Sequence, residues 1–366
     1  MKSNAKIKIV ILIALGLVFA LSTIFTSNLN FNTANSNKIT EYSDDINAIN
    51  EDLKISKISG RIHIKKNWTD AKAAGICTGD GTYSAPYIIE NLEIDGEKSG
   101  PCIWIENSIV YFIIKNCTAY NSGTGYMYQS GIRLNNVTNG QLINNNCSLD
   151  DQGILLWDCS NITISGNTLN NNLVKGIYLY LSNNNIISGN TANNNDVDGI
   201  QISLSYNNII SGNTANNNYL NGINLYIDSY NNTVSGNTAN NNNDHGILLL
   251  QVYKNIISGN TANNNGKNGM HLYWSNNNTI SGNTANYNQY GIYLERSNYT
   301  MVSGNQFSGN DKCWVELNCK DNVFEDNNCV AGNPAVPGYG IFFLIGIISI
   351  TSIILILLKR RIQSKS

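Results

Sequence analysis

Aliphatic and polar residues alternate in short bursts along the middle of this chain, and each burst opens on a Gly-Ile step. The steps fall at Gly131, Gly153, Gly176, Gly199, Gly222, Gly246 and Gly291, with Gly269-Met270 in the same series. After each glycine every second residue is aliphatic, as in Ile154/Leu156, Ile177/Leu179, Ile223/Leu225 and Ile292/Leu294. Period two over so short a run predicts a strand with one buried face. A second short strand precedes each Ser-Gly-Asn, with Ile164, Ile187, Ile210, Val234, Ile257, Ile280 and Val302 as its inward column. A third begins at Asn-Thr-Ala, as at Asn190-Thr191-Ala192, and runs out in an Asn-rich turn.

The Ser-Gly-Asn triplets at Ser165, Ser188, Ser211, Ser235, Ser258, Ser281 and Ser303 follow one another at 22–24 residues. A period in the twenties means one unit is copied, and each copy completes its core against its neighbours. Three strands and three turns per copy predict an all-β fold, a parallel β-helix solenoid of about ten rungs spanning residues 87–332. Helical repeats of similar period are excluded, because the Asn-Asn-Asn and Ser-Gly runs break helices. The Asn after each Ser-Gly, from Asn167 to Asn305, is expected to turn inward and form an amide ladder from rung to rung. Cys102-Ile-Trp-Ile105 and Cys313-Trp-Val-Glu-Leu317 fill the Gly-Ile position with Cys in place of Gly.

Both ends read as membrane segments. Lys2, Lys6 and Lys8 precede an apolar run, so residues 1–26 read as a signal peptide or signal anchor. Residues 27–60 read as a linker, and 61–86 as an N-terminal cap whose Asn67–Ala74 stretch predicts a short helical lid. After a linker at 333–340, residues 341–358 carry no charge and are long enough to span a bilayer; the basic tail 359–366 belongs on the cytoplasmic side. The body is then expected outside the cell membrane, where eight cysteines suit an oxidising environment. Only 13% of residues are charged and the net charge is −2, so no nucleic-acid partner is expected.

The Ile-Ile-Ser-Gly-Asn-Thr and Gly-Ile-x-Leu repeats resemble the NosD-like family of right-handed parallel β-helices. The resemblance implies the right-handed coil and, as a functional class, accessory work in metalloenzyme maturation with a copper association. The tail Val336-Pro-Gly-Tyr339, with its apolar segment and basic end, is similar to archaeal sorting signals of the Pro-Gly-Phe type. Tyr339 replaces the Phe of that motif, so a sorting signal exchanged for a lipid and an ordinary stop-transfer anchor both stay open.

Candidate chemistry lies in what the repeat leaves free. His245 precedes its glycine and His271 follows its own by two, so they do not share a column, and no metal or other cofactor is expected. Asp150, Asp151, Asp196 and Asp198 fall just before Gly-Ile steps two rungs apart, the clustering an acid–base enzyme needs. Turn-forming aspartates explain the same positions, so catalysis is the alternative reading and not the first. Outward positions carry Trp157, Tyr178, Tyr180, Tyr226, Tyr273, Trp274 and Tyr293. Rings at regular steps along a rigid face suit stacking on sugars, so the leading expectation is binding of a polysaccharide or another cell-envelope component.

Overall fold

The computed structural model describes residues 57–123 and 129–330. The segments assigned to the signal and transmembrane helices, 1–26 and 341–358, and the tail motif lie outside the described residues. Among the described residues no helix is long and apolar enough to cross a membrane.

The Gly-Ile strands stack in parallel into an eleven-stranded sheet, here the front sheet, running from Ile62–Lys65 through Gln152–Trp157, Lys175–Tyr180 and Asn268–Tyr273 to Lys312–Leu317. The strands before Ser-Gly-Asn make a second eleven-stranded sheet, the back sheet, from Tyr87–Glu90 through Ile186–Ser188 and Ile209–Ser211 to Val323–Glu325. The front sheet begins at Ile62, and a further strand lies at Lys57–Ser59, inside the segments that the sequence assigns to cap and linker. The third strand differs from expectation. It is a true strand near the ends, at Leu92–Asp95, Thr118–Tyr120, Gln306–Ser308 and Asn328–Val330. Between them, from Thr168 to Thr284, it shrinks to one bridged threonine per rung, because Asn-Thr-Ala gives way at once to a turn.

Aliphatic columns from both sheets fill the interior: Ile177, Leu179 and Ile187 are wholly buried, as are Ala192 and Ala215 from the Asn-Thr-Ala corner. Glycine opens each front strand because the chain passes close to that alanine column. A Cβ on Gly222 would lie 2.7 Å from Ala239 Cβ and 2.8 Å from the Ala215 carbonyl oxygen.

The predicted amide ladder is present. Asn190 Nδ2 donates to Asn213 Oδ1 at 2.9 Å and to the Ile164 carbonyl at 2.9 Å, and the pattern repeats from Asn145 to Asn327. Two further interior ladders escaped the sequence reading. One joins Asn172, Asn195, Asn218, Asn242, Asn265, Asn288 and Asn310 at the turn into the front strand. The other joins Asn185, Asn208, Asn232, Asn255 and Asn278 at the turn into the back strand. Each amide satisfies buried backbone groups that a tight corner leaves without a sheet partner.

The two ends of the coil are finished differently. The helix Trp68–Ala73 lays Trp68 flat on Tyr87, ring centroids 4.9 Å apart, and Trp68 Nε1 donates to Ser108 Oγ. At the other end Cys313 and Cys329 form a disulfide. Cys117 and Cys147 lie on adjacent rungs, where Asn146 N donates to the Cys117 carbonyl, and both are buried free thiols.

Candidate functional site

Front-sheet register sorts the outward side chains into three columns. The column before glycine runs Gln152, Lys175, Asp198, Asn221, His245, Asn268, Tyr290. The middle column, two after glycine, runs Trp104, Arg133, Leu155, Tyr178, Gln201, Asn224, Leu248, His271, Tyr293. The far column, four after glycine, runs Trp157, Tyr180, Ser203, Tyr226, Leu250, Tyr273, Glu295. Parallel pairing puts successive members about 4.8 Å apart.

These columns divide the aromatic residues expected to bind. Trp157 and Tyr180 are neighbours in the far column, ring centroids 4.7 Å apart, and Tyr178 leans against Tyr180 at 6.2 Å. Ser203 interrupts the row before Tyr226, and Leu250 before Tyr273. Tyr293 stands in the middle column, while Trp274 sits in the turn beyond Tyr273, half exposed, with the Arg296 guanidinium 5.0 Å above its ring. The expected strip is therefore two aromatic groups, one around Trp157–Tyr180 and one around Tyr273–Tyr293. Three further tyrosines, Tyr206, Tyr230 and Tyr253, stack on one another in a separate turn column at 5.0 and 5.1 Å.

The four aspartates do not form one cluster. Asp150 turns into the coil and occupies the end of the second interior asparagine ladder. Its Oδ1 accepts from Ser122 N at 2.8 Å, while Asn172 Oδ1 accepts from its backbone N–H at 2.9 Å. Burial pushes its pKa up to about 7. Asp196 points to solvent on the preceding turn. Only Asp151 and Asp198 flank the outward face, with Lys175 on the rung between. Burial pushes Asp151 up to about 6, opposed by Lys175. Asp198 is buried; burial raises its pKa, although Asn224 Nδ2 donates to its Oδ2 at 3.0 Å and Asn221 Nδ2 to its Oδ1 at 2.8 Å. Lys175 is lowered by burial, and its ammonium lies 4.0 Å from the Tyr178 ring centroid. Two carboxyls and a lysine whose charged forms burial disfavours thus stand on successive rungs beside Tyr178.

One family model, described as the right handed beta helix region, matches residues 51–203, 131–285 and 231–350. This chain belongs to that family. Solved β-helices share the coil at low identity. A mutant of the periplasmic alginate epimerase AlgG aligns with TM-score 0.57 and 18% identity, covering 66% of this chain and 74% of that one. A mannuronan C-5 epimerase A-module from Azotobacter vinelandii gives 0.52 and 15%, covering 73% and 93%. An alginate lyase from Paenibacillus gives 0.50 and 12%, covering 74% and 99%. At such identities the likeness establishes the fold. No curated protein matches the sequence.

Two groups on the face of this β-helix were missed from sequence. At its N-terminal end His63 stacks on Trp104 with centroids 4.1 Å apart, and the Arg133 guanidinium lies 4.8 Å from the Trp104 ring. Glu106 Oε1 accepts from His63 Nε2 at 2.9 Å and from Lys65 Nζ at 3.4 Å. At the C-terminal end, His245 and His271 occupy different columns, as their offsets require, yet they meet diagonally across one rung at 3.1 Å. Offset comparison compares residues within a column; a contact between neighbouring columns needs the register. Among the described residues no group of three or more His, Cys, Asp or Glu side chains could hold a metal ion.

Proposed function

We propose that this β-helix binds a linear polysaccharide of the mannuronan class along the outward face of its front sheet, as a surface protein held through the apolar segment 341–358. One observation carries the reading. Over the rungs where the back sheet keeps its repeat, from Thr163 to Ser303, the outer side of the front sheet breaks it and gathers rings, amides and charged groups in columns at rung spacing. Flat rings such as Trp157, Tyr178 and Tyr180 take the apolar faces of pyranoses, and the amides and charges between them meet hydroxyls and carboxylates. The alginate-directed names of the structurally similar epimerases and lyase support the substrate class.

A second reading, a carbohydrate-active enzyme, is favoured by Asp198 beside Lys175 and Tyr178. Calorimetric titration of the full chain with mannuronan tests the first. Trp157→Ala with Tyr180→Ala is expected to weaken binding at least tenfold while Asp198→Asn retains it; undiminished binding in the double variant removes the proposal. New reducing ends released from the same polymer, and lost in Asp198→Asn, would establish the second reading instead.

A further inference from the structure

One rung of the coil is a residue too long. Gly222 to Gly246 is a step of 24 residues, against 23 on the rungs to either side. Register places the extra residue just after the front strand, where Tyr226 pairs with Ser203 and with Leu250. Ile227 and Asp228 then precede Ser229, whereas Leu204 alone precedes Ser205 and Gln251 alone precedes Val252. Both inserted positions take left-handed backbone, with φ 29° at Ile227 and 50° at Asp228. A β-branched residue there is strained, and such strain gathers at binding and switch sites.

This bulge borders an open cleft of about 440 Å³, lined by Asp228, Gln251, Val252, Tyr253, Trp274 and Asn276. Its groups reach solvent: Asp228 and Gln251 are exposed, Trp274 is 48% exposed and Tyr253 37%. The tyrosine stack ends here. Tyr230 covers Tyr253 at 5.1 Å, and the next member of that turn column is Asn276. Arg296 lies over Trp274 and is held by the Tyr273 hydroxyl, but it does not line the cleft. Asn276 Oδ1 accepts from Asn298 N at 2.8 Å, which leaves its Nδ2 to donate. The side chains of Asp228 and Gln251 have no hydrogen-bond partner among the described residues.

From this geometry we infer that the cleft binds one neutral hexopyranose of a glycan. The rings of Tyr253 and Trp274 take its apolar C–H surface, Asp228 accepts from its hydroxyls, and the Gln251 and Asn276 amides complete the hydrogen bonds. No cation among the described residues lines the cleft, so a uronate would set its charge against Asp228 uncompensated. An amine would satisfy Asp228 but meet the Asn276 Nδ2 donor with a cation. Hydroxyls both donate and accept, and suit the whole set. The site goes beyond the front-face reading, which needs Trp157 and Tyr180, and does not depend on it.

The β-1,4-linked hexaoses of mannose, glucose and galactose, with mannuronohexaose as the charged counterpart, are the probes for calorimetric titration of the full chain. At least one neutral hexaose is expected to bind. Trp274→Ala removes a ring surface and Asp228→Asn a charged acceptor, and each should weaken that probe about tenfold. Asn visits left-handed backbone readily, so Asp228→Asn keeps the turn even if Trp274→Ala disturbs it. Trp157→Ala with Tyr180→Ala should leave the neutral probe unaffected, and neither cleft variant should change mannuronohexaose binding. The inference falls if no neutral hexaose binds, if its binding ignores both cleft variants, or if those variants weaken mannuronohexaose instead. None of these results decides the front-face reading, which stands or falls on mannuronan binding by the Trp157 and Tyr180 variant.

Discussion

The front and back sheets of this coil share a core and a strand count, and their outer surfaces obey different rules. Along the back sheet the outward positions scarcely vary from Thr163 to Ser303, although the end rungs carry Glu90, Lys115, Gln141 and Glu325. One column reads Thr163, Ile186, Ile209, Thr233, Ile256, Thr279, Met301, and the next is serine at Ser165, Ser188, Ser211, Ser235, Ser258, Ser281 and Ser303. Along the front sheet the equivalent column changes chemistry at nearly every rung, from Arg133 to Leu155, Tyr178, Gln201, Asn224, Leu248, His271 and Tyr293. Both sheets are parallel and both bury one face in the same core, so the scaffold cannot demand the variety. Repetition is what stacking requires; departure from it on a single surface marks where something other than stacking acts.

The largest test concerns the place where a repeating interior column ends in a residue of the wrong type. Asp150 closes the second asparagine ladder, and its folded-state pKa of about 7 lies above the ordinary carboxylate value. The folded chain therefore holds a proton that the unfolded chain releases. The stability this lends is complete below about pH 4 and is lost as pH rises through about 7. Asp150→Asn supplies the amide that the ladder repeats, and should raise stability at pH 8 by on the order of 4 kcal/mol while flattening the pH profile. Urea midpoints at pH 4.5 and 8 check this, and an unchanged slope would show that Asp150 is not the titrating group.

Next in size is a break inside the repeat. Asn213→Ala leaves the Asn190 N–H without its acceptor, removes one of the two acceptors of Asn190 Nδ2, and takes the side-chain donor from the Ile187 carbonyl. A loss of about 3 kcal/mol is expected, read as a shift of the urea midpoint. A change below 1 kcal/mol would mean the ladder is decoration. The smallest effect should come from the back surface. Ile186→Thr, Ile209→Thr and Ile256→Thr each replace an exposed residue by one that the same column already uses. Each should move stability by less than about 0.5 kcal/mol and leave mannuronan binding untouched. Weakened binding in these variants would erase the distinction between the two surfaces.

How much could be read in advance follows from the same contrast. The aliphatic columns and the first ladder were legible because their residues recur at a fixed offset from Ser-Gly-Asn. The second and third ladders use asparagines set among other asparagines, such as Asn195 within Asn193-Asn194-Asn195, and composition alone cannot say which of a run turns inward. The aspartates were grouped by their distance from glycine. That distance fixes a rung and leaves the direction of the side chain open, so Asp150 and Asp151, adjacent in sequence, end in the interior and on the face.

The sequence by itself determined the coil: its strands, period, parallel stacking and the alternation of buried and exposed positions all follow from local patterns repeated without change. Tertiary structure decided which exposed residues belong together. Lys175 feels the charges of Asp151 and Asp198 on the adjoining rungs, and His245 meets His271, across 23 to 26 residues of chain. The reason is geometric. Repeats specify a column through a period, but a site forms between columns, where the turn of each side chain brings unlike groups together, as His245 and His271 at 3.1 Å.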